Sequence, residues 1–323
     1  MTKISRGKHT KEIRSGTIVR STGSWVTVMD QHGEMVECKL KGNFRIQGYR
    51  STNPVAVGDK VQFITDGQSE TGLVIHIEPR HNFIIRKATR LSRQSHIIAA
   101  NIDQAVIMVT LAQPRTSTGF IDRFLTTSEA YHIPAAIIFN KCDLYDSDQM
   151  EQLGWMIDLY RNLSYTCIKT SAITGLGVEE ARTLFREKVS LLSGHSGVGK
   201  SALINAIEPG LMRKTGDIST YHNKGKHTTT FAEMLPLQVG GFIIDTPGIK
   251  EFGLVHFDKQ EIAERFPEMR NLMHDCQFNN CTHVHEPGCA VKMALEQGEI
   301  DPGRYKNYLG ILNDDYFEET EWD

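Results

Sequence analysis

Long apolar runs are missing from these 323 residues. None approaches the roughly 18 consecutive apolar residues that a bilayer-spanning helix needs, so neither a membrane span nor a membrane partner is expected. The basic opening, Met1 to Lys11, has no apolar core of the kind a secretory signal carries. Cytoplasmic residence is therefore the default expectation. Cysteine is sparse: Cys38, Cys142 and Cys167 are scattered, whereas Cys276, Cys281 and Cys289 crowd into one short stretch, which argues against a disulfide framework. An overall positive charge is also lacking. With 36 Lys and Arg against 39 Asp and Glu the formal net charge is -3, so any contact with nucleic acid must come from local basic patches.

What is present is ordinary for a soluble globular protein: 40% hydrophobic and 23% charged residues, in a chain long enough for two or three domains. Up to about Pro79 helical patterns are scarce. Five short β-rich runs, Glu12–Val19, Ser24–Met29, Met35–Leu40, Lys60–Ile64 and Gly72–Ile77, are separated by turn residues such as Gln31-His-Gly33 and Val57-Gly-Asp59. That density predicts a small barrel, either the oligonucleotide-binding type or an SH3-like one. The basic tail and the stretch from Lys39 to Arg50 mix cations with Phe44 and Tyr49. Such a mixture can hold RNA phosphates while the rings stack on bases, or can simply be a solvated basic surface. Arg80 to Arg90, again cationic, is either a linker or the first element of the next domain.

From Ile97 the pattern becomes α/β. Strands are expected at Gln104–Thr110, Ala135–Phe139 and Tyr165–Thr170, with helices near Ile121–Tyr131 and Val178–Glu187, which implies a doubly wound sheet with ligands at the carboxyl ends of its strands. Directly after the second of these strands stands Asn140-Lys-Cys-Asp143, the N-K-x-D motif of GTP-binding proteins. An aspartate there accepts two hydrogen bonds from guanine N1 and N2, a donor pair that adenine does not offer, so Asp143 would select the base. Asn140 would brace the loops and the aliphatic stem of Lys141 would cover the purine. Ser171-Ala172, after the third strand, corresponds to the segment whose backbone approaches the guanine carbonyl.

Gly194-His195-Ser196-Gly197-Val198-Gly199-Lys200-Ser201 fits G-x-x-x-x-G-K-[ST], between a strand at Lys188–Leu192 and a helix starting at Ala202. Its glycines let backbone N–H groups and a helix N-terminus face an anion. Lys200 would reach the β and γ phosphates, and the Ser201 hydroxyl would ligate Mg²⁺. Gly225 to Thr230 resembles a first switch, with Thr228 or Thr229 completing the Mg²⁺ shell. Gly240 to Gly248 delivers Asp245 and Gly248 as D-x-x-G, the first toward the metal through a water and the second toward the γ phosphate. All the parts of a GTPase are present, but base recognition precedes phosphate recognition, so the domain is circularly permuted.

Beyond Phe257 the chain reads as mostly helical, with helices at Lys292–Glu299 and Pro302–Leu312 and an acidic end. Cys276, Cys281 and Cys289 with a histidine, His283 or its neighbours His274 and His285, supply the tetrahedral set that Zn²⁺ prefers. Four protein ligands leave no open position, so the site would be structural.

This order of motifs, between a small β domain and a cysteine-rich tail, closely resembles the circularly permuted, small-ribosomal-subunit-dependent GTPase family, RsgA or YjeQ, over nearly the whole chain. The resemblance implies an oligonucleotide-binding barrel over 1–80, a permuted P-loop GTPase domain over 81–256 and a zinc-binding helical domain over 257–323. It implies GTP hydrolysis to GDP and phosphate, stimulated by the small (30S) ribosomal subunit and its rRNA, in late maturation of that subunit; the chain itself is expected to be a monomer. It also favours His283 as the fourth zinc ligand. Ile249 stands where Ras-like proteins carry a water-orienting glutamine, so catalysis must come from elsewhere and turnover in isolation should be slow. His227 is the best internal candidate, supported by the resemblance; packing or an RNA contact is its other reading, and some related permuted GTPases use ribosomal elements to complete the site. Because Asp245 to Gly248 immediately precedes the tail, movement of that switch is expected to pull on the zinc module. A different reading keeps GTP as a structural ligand of an RNA-binding scaffold without significant turnover, and an ATPase is a third.

Overall fold

The structure is a computed structural model and describes residues 12–22, 25–41, 54–65, 71–86, 96–211, 232–245 and 259–313. Five strands form the amino-terminal barrel: β1 (Glu12–Thr22), β2 (Trp25–Asp30), β3 (Met35–Leu40), β4 (Lys60–Thr65) and β5 (Thr71–Ile77). They run in the order β1-β2-β3-β5-β4, and β4 pairs back onto β1 to close the ring. The parallel β3–β5 pair makes this a Greek-key barrel of the oligonucleotide-binding type and not an SH3-like meander. Alternation fixes its inside. In β3 Val36 and Cys38 are buried while Met35, Glu37 and Lys39 are exposed, and Ile18, Val28, Val61, Phe63 and Val74 join them in the core.

Of the cationic stretch that begins at Arg80, the described residues, 80–86, serve two units. Arg80 grips Asp59 of the barrel through two hydrogen bonds of 2.6 and 2.7 Å, whereas β6 (Phe83–Arg86) pairs antiparallel with β7 (His96–Ala100). The barrel loop before β4 lies on β7: Ala100 N–H donates to Val57 O and Asn101 Nδ2 to Gly58 O, both at 2.9 Å.

The main sheet continues with β8 (Gln104–Val109), β9 (Ala135–Phe139), β10 (Thr166–Lys169), β11 (Lys188–Ser193), β12 (Glu233–Pro236) and β13 (Gly241–Asp245), in the order β10-β9-β8-β11-β13-β12. All but β12 are parallel, and every residue of β8 is buried, as expected for a central strand covered on both faces. Ala105, Ile107 and Val109 face α1 (Thr118–Ala130) and α2 (Ser147–Asn162), while Val106 and Met108 face α3 (Val178–Phe185) and α4 (Lys200–Ile207). β12 and β1 then join barrel and sheet edge to edge through Arg20 and Glu233. Helix α2 and strand β12 go beyond the elements expected from sequence. α2 begins with a capping box in which Asp146 and Gln149 satisfy each other's backbone N–H groups.

The last region is helical: α5 (Lys259–Glu264), α6 (Pro267–Arg270), α7 (Ala290–Glu296) and α8 (Pro302–Asn313). They pack around Phe266, Met269, Val291 and Tyr308. α8 also packs on α1 through a buried polar cluster, in which Asp122 takes Arg304 Nη1 at 2.6 Å, Asn307 Nδ2 at 2.5 Å and Tyr160 Oη at 2.9 Å. No helix among the described residues is long and apolar enough to cross a membrane. At the seam between barrel and sheet Gly58 has φ +89°, and a Cβ there would lie 2.0 Å from Ala100 O. Gly58→Ala is expected to destabilise the protein by more than about 2 kcal/mol. A lowered urea midpoint would bear this out, and an unchanged one would contradict it.

Candidate functional site

Because β10, β9, β8, β11 and β13 are neighbouring and parallel, their carboxyl ends share one edge of the domain. The loop after β11 is shaped by two glycines. Gly194 has φ +143° and its absent Cβ would meet Met108 O at 2.4 Å; Gly199 has φ +98° and its Cβ would meet Asn140 Nδ2 at 2.5 Å. Val198 is fully buried, pinning the middle of the loop, whereas Ser196, Gly197, Ser201 and Ala202 are exposed along the loop and the first turn of α4. Lys200 folds over the loop, donating from Nζ to the carbonyls of Gly194 at 2.6 Å and His195 at 3.0 Å. A backbone cradle, a helix start and an ammonium group thus converge, which is the equipment for binding phosphates.

The loop after β9 is locked onto this cradle by one side chain. Asn140 is 2% exposed; its Nδ2 donates to Val198 O at 2.8 Å and its Oδ1 accepts from Thr170 Oγ1 at 2.9 Å. A carbonyl can only accept, so Val198 O fixes the orientation of the amide. Tyr145 steadies the same loop, donating to Asn140 O at 2.6 Å and accepting from Leu111 N–H at 2.9 Å. Burial pushes its phenol up to about 12, so it remains a donor at neutral pH. Lys141, at φ +61°, reaches across to Gln113 O at 2.5 Å, and its Cε lies 3.9 Å from where a Gly199 Cβ would stand. Its stem therefore runs beside the phosphate loop.

Asp143 presents an exposed carboxylate from the short 3-10 turn Cys142–Leu144. Cys142 N–H donates to Thr170 O at 3.1 Å, which sets that turn beside Ser171 and the half-buried Ala172. The Ser171 hydroxyl accepts from Thr174 N–H at 3.2 Å, and its N–H donates to Leu176 O at 2.9 Å, closing the 171–176 loop. Asp245 closes β13 in register with Leu192, next to the strand that feeds the phosphate loop. His227, Thr228, Thr229, Gly248 and Ile249 lie outside the described residues, as do Phe44 and Tyr49.

In the carboxyl-terminal region the ligand atoms of Cys276, Cys281, His283 and Cys289 all lie within 4.8 Å of one another. His283 Nδ1 is 3.6 Å from Cys276 Sγ and 3.3 Å from Cys289 Sγ, and those two sulfurs are 4.0 Å apart. These separations suit the edges of one tetrahedron around a metal ion bound at roughly 2.0 to 2.3 Å. Three thiols and an imidazole form a soft donor set, and all but Cys276 are buried. Burial pushes the Cys281 thiol up to about 12 and holds the His283 imidazole below its ordinary range, which favours the neutral ring that a cation needs as a ligand. Tyr305 and Tyr308 brace the ligand loop from α8, donating to His283 O and Thr282 O at 2.6 Å each. Glu286 gathers the Thr282 hydroxyl and three backbone N–H groups, which hold its carboxyl well below the usual range despite burial.

A family model described as RsgA GTPase matches residues 77–255, and one described as RsgA N-terminal domain matches residues 15–74. A protein of Bacteroides fragilis named small ribosomal subunit biogenesis GTPase RsgA is 53% identical over 93% of this chain and 96% of its own length. The protein of the same name from Christiangramia forsetii is 52% identical over 92% of this chain and 95% of its own. The chain belongs to the RsgA GTPase family. Among solved structures, YjeQ from Thermotoga maritima superimposes with a TM-score of 0.77 at 35% identity, covering 94% of this chain and 98% of that one. YloQ, described as a circularly permuted GTPase, gives 0.74 at 27% identity over 98% and 100%.

In this family member several residues near the site gave no signal in the sequence. Tyr145, Thr170 and Glu286 act through contacts that no motif spacing announces; only Tyr145, five residues after Asn140, and Glu286, inside the cysteine cluster, stand near one. Asn140→Ala is expected to leave Val198 O unpaired in a buried place and to destabilise the GTPase domain by about 1–3 kcal/mol. Amide exchange at the phosphate loop would report the loss, and unchanged protection would contradict it. At the cysteine cluster a cation must displace thiol protons, so metal affinity should fall as pH falls, by up to about a thousandfold per pH unit if all three thiols are protonated when free. Chelator competition at two pH values measures this, and a pH-independent affinity would contradict it.

Proposed function

We propose that this chain hydrolyses GTP to GDP and phosphate in the biogenesis of the small ribosomal subunit, which it binds as a monomer in the cytoplasm. The observation that carries this reading is the contact of Asn140 with Val198 and Gly199, which puts the base-selecting and phosphate-binding loops against each other. In this reading Asp143 takes guanine N1 and N2, Lys141 and Ala172 flank the base, and residues 194–202 hold the phosphates. Lys200 exchanges its carbonyl partners for the β and γ phosphates. Mg²⁺, held by Ser201 and Thr229 or Thr228, neutralises phosphate charge, with Asp245 behind a water and Gly248 at the γ phosphate. Zn²⁺ on Cys276, Cys281, His283 and Cys289 fixes the carboxyl-terminal fold.

The domains divide as 1–80, 81–256 and 257–323. The barrel supplies the rRNA contact. On its exterior Lys39 Nζ already lies 4.7 Å over the Trp25 ring, a cation and an aromatic face that can serve phosphate and base together. Because Ile249 cannot orient water, His227 is assigned that task and turnover waits for the subunit.

Phosphate release measured with and without purified small subunits tests the function. Stimulation of about tenfold or more is expected; its absence would favour a scaffold that holds GTP without turnover. His227→Ala should lower the stimulated rate by about a hundredfold with GTP affinity unchanged. An unaltered rate would move catalysis to the partner. Asp143→Asn should shift preference from guanine toward xanthine nucleotides, and unchanged preference would remove Asp143 from base selection.

A further inference from the structure

Helix α1 touches both the phosphate loop and the metal-binding module, on opposite sides. On one side the Phe120 ring stacks on His195 of the phosphate loop, with centroids 4.1 Å apart and planes 29° from parallel. On the other side Asp122 and Thr118 are held by α8: Asn307 Nδ2 donates to Asp122 Oδ2 at 2.5 Å and to Thr118 Oγ1 at 3.2 Å, and Arg304 Nη1 donates to Asp122 Oδ1 at 2.6 Å. At about 100° per residue, positions 118 and 122 share a face and position 120 lies roughly 200° round from either. The helix is thus sandwiched between loop and module.

The two contacts differ in kind. Asp122 is 0% and Arg304 2% exposed, and the guanidinium forks on to Glu268 at 2.8 and 3.0 Å and lies 4.7 Å over the Phe266 ring. A buried pair so constrained does not slide, because displacement leaves charges uncompensated. The module and α1 therefore move together. The other contact is the ring stack, whose His195 belongs to the phosphate loop: its carbonyl accepts Lys200 Nζ at 3.0 Å and Val198 N–H at 3.4 Å. Phosphates that drew Lys200 away would take one partner from the His195 carbonyl, in the same residue whose ring stacks on Phe120.

We infer that Phe120 and Asn307 are positioning residues for the phosphate loop, and that the place of the metal-binding module on α1 sets how tightly the loop keeps its nucleotide. This rests on the reading that the loop binds GTP. Linkage makes the effect mutual, so nucleotide also biases the seating of the module. The connection uses only α1 and its two faces, and is separate from the switch after β13.

A double-mutant cycle on the full-length, metal-loaded protein tests this. Phe120→Leu and Asn307→Ala are combined, and dissociation of a fluorescent GTP analogue is timed, with metal content and melting temperature recorded for each variant. Each single variant should speed dissociation by about three- to tenfold, and the double variant should match the larger single effect. Phe120→Tyr, which keeps the ring, should restore the native rate. Thr118→Val, which removes one partner of Asn307 on α1, takes the place of Asn307→Ala should that variant not fold. Effects that multiply, or single variants that release nucleotide at the native rate, would overturn the inference while leaving the GTPase reading intact. Failure of the unaltered protein to bind the analogue would instead overturn that reading, and this inference with it.

Discussion

The carboxamide of Asn140 is the contact on which the site depends. It is buried, it donates to Val198 O and it accepts from Thr170 Oγ1, so a single side chain joins the loops after β9, β10 and β11. Leaving either partner unmatched in that interior would cost about 1–3 kcal/mol. The residue also sets a steric limit, since its amide occupies the place of a Cβ on Gly199. Residues some sixty positions apart in sequence thereby acquire a fixed relation, and the rotated order of the motifs ceases to matter. Permutation leaves the carboxyl ends of parallel strands together, wherever the chain happens to begin.

Around this centre the other regions are attached by buried polar contacts as well as by apolar packing. Asp59 holds Arg80 of the segment leaving the barrel, the Gly58 turn meets Asn101 at the end of β7, and Asp122 with Arg304 and Asn307 joins the helical module to α1. Paired charges of this kind specify one seating and penalise its neighbours, because a displaced partner leaves an uncompensated charge. The metal cluster has the complementary task. Its short helices bury a limited core, and a cation held by the four convergent ligands, which Tyr305, Tyr308 and Glu286 brace, would add a cross-link where that core is small.

Legibility in the sequence followed how local each signal was. The β8 and β9 runs are almost wholly apolar because both faces are covered, and they announce themselves as parallel strands. The phosphate loop, Asn140 to Asp143 and the cysteine spacing carry chemistry that constrains residue type at fixed offsets. Helix α2 is hard to read from sequence although Asp146 and Gln149 mark its start, because its mixed exposed face blurs the apolar period. The role of Arg80 to Arg90 was open, since whether Arg80 clasps Asp59 depends on a residue twenty-one positions away. Asn140 could be assigned to bracing from its motif, but its partners Val198 and Thr170 are properties of the fold. Phe120 against His195 is likewise invisible in one dimension.

A crystal structure of the full chain with Mg²⁺ and a non-hydrolysable GTP analogue tests the central claim most directly. One nucleotide is expected, its guanine edge on the Asp143 carboxylate and its β and γ phosphates at Lys200. A nucleotide whose base lies away from Asp143 while its phosphates occupy residues 194–201, or one bound at another place altogether, would contradict it.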